Sequence, residues 1–167
     1  MNIVDHETKM FLKGNNSINV LKVIDFLENH KALQANATIE ELATADFFKI
    51  YFSCSLHRRC SFSIWIERSD DQIVFFNVGE KEIEATVFHY IEISSLKDVE
   101  QVISGIKTFL ESVVEKQSQY CNGRLKKVSY KLIHANHKGL IYTKLVESHL
   151  FCFRKSLSYD KYEAWTK

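Results

Sequence analysis

A chain of 167 residues with a net charge of +1, 46% hydrophobic and 26% charged residues, has the makeup of one globular domain, 1–167, long enough to bury a core. The absence of proline and the presence of only five glycines exclude collagen-like repeats and argue against disorder, leaving Asn, Asp and Ser to form the turns. No apolar run approaches the about 18 residues of a membrane span, and the N-terminus lacks the basic and apolar regions of a signal peptide, so the expectation is a cytoplasmic protein with no membrane partner.

Ser17 is placed to cap a first amphipathic helix, whose Val20, Leu21, Val23, Ile24 and Leu27 recur at helical spacing up to Asn29-His30. Thr38 with Glu41 three residues on has the form of a capping box and predicts a short helix through Ile39, Leu42 and Ala43. From Asp46 the period becomes twofold. Phe48, Ile50, Phe52, Cys54 and Leu56 alternate with polar or aromatic neighbours, and Cys60, Phe62, Ile64 and Ile66 do the same after His57-Arg58-Arg59. If Leu56 faces Cys60, Cys54 meets Phe62, Phe52 meets Ile64 and Ile50 meets Ile66. The other face then pairs Ser55 with Ser61, Ser53 with Ser63, Tyr51 with Trp65 and Lys49 with Glu67. Asp70-Asp71 turns the chain into a third strand, 73–78, and Gly79-Glu80-Lys81-Glu82 into a fourth, 83–93, with Val78 opposite Ile83.

Val99, Val102, Ile103, Ile106, Phe109, Leu110, Val113 and Val114 form the widest helical stripe of the chain and predict a central helix over 95–119. Ser95 and Asp98 open it as a capping box, and Asn122-Gly123 supplies the stop. Strand patterns return over 125–134 and 140–147, around a turn at Asn136-His137-Lys138-Gly139, and again over 150–157. The tail from Ser158 to Trp165 is expected as a short helix, with an edge strand as the other possibility. The predicted class is therefore α+β: N-terminal helices, a four-stranded antiparallel meander packed on the central helix, and a second three-stranded antiparallel segment.

Chemistry-bearing residues are scattered. The four cysteines have no CxxC spacing and are expected to be small buried hydrophobes in a reducing compartment rather than a disulfide framework. His134 and His137, with His149 beyond the next strand, are the best candidate metal ligands, but no carboxylate or cysteine completes the set, so no metal or other cofactor is expected. There is no GxSxG, GxGxxG or phosphate-loop motif, and the paired carboxylates lie in turns, so no enzyme activity is expected. A pocket converging on His89, His134 or Cys152 would be the cheapest sign to the contrary.

Charge is divided along the chain. Residues 1–120 carry 12 Lys+Arg against 18 Asp+Glu, whereas residues 121–167 carry 10 against 3. Such asymmetry favours a charged partner. The leading expectation is a non-catalytic protein-binding module of the immunity or antitoxin type, neutralising a basic toxin such as a nuclease. Its contact residues would be the acidic turns Asp70, Asp71, Glu80, Glu82 and Glu84, with Tyr51, Trp65, Arg58 and Arg59 on the hairpin. A helix lying over Tyr51 and Trp65 would instead make them structural. The alternative is a single-stranded nucleic-acid binder using Lys126, Lys127, Lys131, Arg154 and Lys155, interleaved with Tyr130, Tyr142, Phe151 and Phe153. A secretion-type chaperone is the third possibility.

Overall fold

A computed structural model describes residues 18–43, 47–54, 58–67, 73–81, 83–134, 137–146 and 152–166. It opens with helices α1 (Ile18–Asn29) and α2 (Lys31–Asn36). Val20, Val23, Ile24 and Leu27 form the buried stripe of α1, as their spacing requires, and Leu33 anchors α2. Ser17 lies outside the described residues.

Five antiparallel strands follow in sequence order: β1 (Thr38–Ala43), β2 (Phe47–Ser53), β3 (Phe62–Glu67), β4 (Ile73–Val78) and β5 (Ala85–Glu92). The first corrects the expected helix after Thr38. In place of a single turn or two of helix, β1 gains a full ladder along β2, from Thr38↔Ser53 to Ala43↔Phe48.

The apolar faces of β2 and β3 are those expected, but the pairing is displaced by two residues. Phe52 meets Phe62, Ile50 meets Ile64, and Phe48 meets Ile66. A one-residue slip would invert the faces; a two-residue slip preserves them, so the apolar pattern is blind to it. What separates the two registers is tertiary: residues 58–60 are drawn toward the C-terminal segment, where Arg59 bridges Glu163. The expected pairings through Ser55 and Leu56 fall outside the described residues. A similar shift sets Val78 opposite Ala85 in β4–β5, and irregularities then carry Val74 to Ile91.

Helix α3 (Leu96–Leu110) has the expected capping box: the Ser95 amide donates to Asp98 Oδ2 at 2.8 Å, and the Asp98 amide to Ser95 Oγ at 3.3 Å. It ends about one turn before the last residue of its apolar stripe, Val114, and about two and a half turns before the expected end at 119. Ser112 donates its backbone N–H to Phe109 O and its hydroxyl to Thr108 O, closing the helix, and β6 (Val113–Cys121) begins at once. Val113 and Val114 suit either period. Beyond them Val114, Lys116 and Ser118 are buried in twofold alternation, and β6 gains ladders on both sides. Asn122 (φ 51°) and Gly123 (φ 81°) are therefore a two-residue hairpin turn rather than a helix stop.

The second sheet has the order β8-β7-β6-β9, with β7 (Arg124–His134), β8 (His137–Leu145) and β9 (Lys155–Tyr162). It has four strands where three are expected, because the apolar spacing at the start of β6 also continues the helical stripe. The tail is an edge strand through Tyr162 and not a helix; its alternating burial and its ladder with β6 account for that.

Helices α1 and α3 cover the apolar face of the first sheet. Phe62 is the hub: it stacks on Phe52 at 4.4 Å and meets Phe109 (5.2 Å) and Trp165 (5.7 Å) edge-on. Trp165 Nε1 donates to Cys60 O at 2.9 Å, which ties the C-terminus into this core. Val114, Val128, Tyr130 and Leu132, from the inner face of the second sheet, join the same cluster. The sheets approach closely at Gly79 (φ 123°), where any Cβ would strike the Tyr130 ring.

Candidate functional site

The acidic turn between β4 and β5 folds inward. Glu84 is buried, and its Oε2 lies 2.5 Å from Lys49 Nζ, itself buried and 4.7 Å from the centre of the Trp65 ring. Trp65 stacks on Phe47 at 4.8 Å, and both are half-buried. In the shifted register Lys49 faces Trp65, Tyr51 faces Ser63, and Phe47 takes the place opposite Glu67. Glu80 is held from the second sheet: Lys116 Nζ lies 2.7 Å away, and the Tyr162 hydroxyl donates to it at 3.3 Å. Lys81 bonds Glu40 and donates its amide to the Tyr51 hydroxyl at 3.1 Å. Burial pushes the Tyr51, Tyr130 and Tyr162 hydroxyls above the usual phenolic range, so all three stay protonated.

Of the hairpin cations, Arg59 points into the molecule and Arg58 pairs at the surface. Arg59 is buried, donates to Ala164 O and lies 3.5 Å from Glu163; Arg58, largely exposed, meets Asp160 at 2.7 Å. Glu80, Glu84, Arg58 and Arg59 thus serve to join segments of this chain. Asp70, Asp71 and Glu82 lie outside the described residues.

The basic third is arranged differently. Inner positions of the second sheet are Val114, Lys116 and Ser118 on β6 and Val128, Tyr130 and Leu132 on β7. Tyr130 and Tyr142 face this way, so they are not the stacking rings expected of them; Phe151 lies outside the described residues. The outer face is set by the ladders. One row runs Ile141–Lys131–Glu115–Lys161, the next Thr143–Ser129–Gln117–Tyr159, and the third Leu145–Lys127–Gln119–Leu157. Gln117 donates to the Tyr159 hydroxyl at 2.8 Å, and Ser129 and Thr143 share a hydrogen bond at 3.1 Å.

A β-bulge interrupts β7 beside Gln119, leaving Lys126 as the extra residue between Leu125 and Lys127. Leu125 packs against the core and Val128 is buried, so both lysines between them lie on the outer side. Arg124 and Lys155 flank Cys121 on the neighbouring strands, and Arg154 is fixed by two hydrogen bonds to Asn122, 2.9 and 3.1 Å. Four of the five cations expected from the sequence, Lys126, Lys127, Arg154 and Lys155, therefore meet Arg124 at one end of the sheet; Lys131 lies farther along the same face.

Cys121 and Cys152 are joined by a disulfide, correcting the expectation that all four cysteines are unpaired small hydrophobes. The start of β9 and the end of β6 bring their Cα atoms to 5.5 Å, within bridging range, although 31 positions separate them. Cys54 and Cys60 are free; Cys60 is buried, and that burial pushes its thiol far above the usual range.

His134 Nε2 lies 3.2 Å from Glu111. Among the described residues no group of three His, Cys, Asp or Glu is placed to hold a metal ion, and His149 lies outside them. No helix among the described residues is long and apolar enough to cross a membrane. A cleft of about 760 Å³ lies between α1, α2 and the C-terminus, lined by Phe26, His30, Ala32 and Trp165 and not by His134 or Cys152. Burial lowers the His30 pKa, which keeps its imidazole neutral at pH 7. No family model, curated protein or solved structure matches this chain.

The residues that sequence reasoning missed are the apolar ones on the open face: Ile141, Leu145, Leu157 and Tyr159. Their twofold spacing along β8 and β9 is visible in the chain, but only the inner position of Tyr142 and the edge position of β9 show that this spacing faces outward.

Proposed function

We propose that the protein is a non-catalytic protein-binding module of the stoichiometric-inhibitor type, and that its contact surface is the outer face of the second sheet. One observation carries this reading. The sheet packs its inner face into the core, while Ile141, Leu145, Leu157 and Tyr159 on the outer face are 64%, 72%, 53% and 68% exposed. Exposed apolar residues along both edge strands of one sheet face, with polar residues of β6 and β7 between them, have the makeup of a docking surface. The acidic turns, which motivated a contact at the hairpin, are engaged within the chain at Glu80 and Glu84.

The test uses the intact protein as bait in its native lysate, beside an Ile141→Asp, Tyr159→Asp double variant. The expected result is a stoichiometric partner retained by the parent and lost by the variant, with the melting temperature unchanged. A parent protein that runs alone, or a variant that keeps the partner, refutes the reading.

A further inference from the structure

We infer that the partner of this face is an acidic protein surface, carboxylates set among apolar side chains, and therefore opposite in charge to the basic toxin that the acidic turns called for. The inference rests on the contact surface proposed above and adds the chemistry of what it takes.

Three observations converge. First, the charge is of one sign: Arg124, Lys126, Lys127, Arg154 and Lys155 gather at the Asn122-Gly123 end of the sheet. No Asp or Glu occurs anywhere in residues 121–134, 137–146 or 152–159. Second, these cations have no ion-pair partner among the described residues. The described cations of the first sheet and its turns have carboxylate partners, whereas these side chains form no ion pair with a described residue. The bulge reinforces this: regular alternation would turn Lys126 toward the core, and the extra residue turns it outward beside Lys127. A cluster of like charges on one face costs self-repulsion unless a partner of opposite sign meets it.

Third, most of the exposed apolar groups beside the cations are aliphatic. Leu145 stands opposite Lys127, and Leu157 opposite Gln119 in the same row, with Val146 exposed at the strand end. Aliphatic side chains alternating with cations suit a protein surface, which buries apolar area and pairs charge at its rim. Single-stranded nucleic acid would need planar rings for its bases. Among the described residues the exposed rings are Tyr159 on this face and Phe153, 89% exposed beside Arg154, against the aliphatic Ile141, Leu145, Val146 and Leu157; Tyr130 and Tyr142 are turned into the core. Acidic protein is thus favoured over a phosphate backbone.

The experiment titrates the isotopically labelled full-length protein with three probes: a peptide of alternating Glu and Leu, the same peptide with Lys in place of Glu, and a single-stranded oligothymidine. The acidic peptide is expected to shift the amides of residues 124–127, 145 and 155–159. Its affinity should fall about tenfold on Lys126→Glu with Lys127→Glu, and fall further with added salt. No shift with the acidic peptide, stronger binding of the basic one, or tighter binding of oligothymidine to the same residues overturns the inference. The lysate partner separates the two proposals. Loss of that partner with the Ile141/Tyr159 variant but retention with the Lys126/Lys127 variant leaves the face standing and sinks the charge assignment. Retention by both variants sinks the face itself.

Discussion

The two sheets of this protein treat charge in opposite ways. In the first, the outer face carries Lys49 and Glu84, which are buried together beside Trp65, and the neighbouring turns pair Lys81 with Glu40 and Glu80 with Lys116. In the second, the outer face carries Arg124 and Lys155, exposed, and Lys126 and Lys127, half-buried, beside exposed aliphatic residues, and none of the four forms an ion pair with a described residue. Glu40, Glu80 and Glu84 in the acid-rich part of the chain thus hold segments together, whereas the cations at the Asn122-Gly123 end of the second sheet form no ion pair with a described residue. Excess charge in a segment says little about a partner until one knows which charges the fold itself has paired.

The contrast can be broken experimentally, most severely at Lys49. Its loss in Lys49→Met strands the Glu84 carboxylate in a buried site and is expected to destabilise the fold by about 3–5 kcal/mol, measured by urea denaturation. Lys49→Met with Glu84→Leu should recover most of that. A single substitution costing under about 1 kcal/mol would show the first sheet's charges to be as dispensable as surface pairs.

A smaller loss is expected in the second sheet from Cys121→Ser with Cys152→Ser. The link closes a separation of 31 residues, and removing it should cost about 2–4 kcal/mol. Hydrogen exchange should place the effect at the start of β9 and the end of β6, leaving β2–β4 protected. If a reductant leaves the unfolding midpoint of the parent unchanged, the cysteines are not paired and the end of the sheet lacks its tether.

At the small end, Lys126→Ala with Lys127→Ala should change stability by no more than about 0.5 kcal/mol, because neither side chain pairs with a described residue. A loss comparable to that at Lys49 would mean these lysines hold the fold together, and the comparison between the sheets would collapse.

Much of the local structure was legible. The α1 stripe, the Ser95/Asp98 capping box and the inward faces of β2, β3 and β4 each follow from a period or a cap that acts over a few residues. The errors have a common cause. Thr38–Ala43, Val113–Cys121 and Lys155–Tyr162 are marginal in their own preferences, and each becomes a strand because a neighbouring strand offers a ladder. Asn122-Gly123 was correct as punctuation, but the element before it was not. The candidate site was less legible. Four of its cations are visible in the composition, yet their gathering at one end of the sheet depends on a bulge, a disulfide and the position of β9.

The amino-acid pattern by itself determined the α+β class, the two helices that cover the first sheet, and which residues along β2, β3 and β4 are buried. These depend on periodicity and capping, which are interactions between near neighbours. Tertiary structure alone decided the two-residue register of β2 with β3, the conversion of the second half of the central stripe into β6, and the burial of Lys49, Glu84 and Arg59. Those outcomes hinge on contacts between residues far apart in sequence. Strand faces repeat every second residue, so local pattern sets the face and leaves the choice of partner to the rest of the molecule.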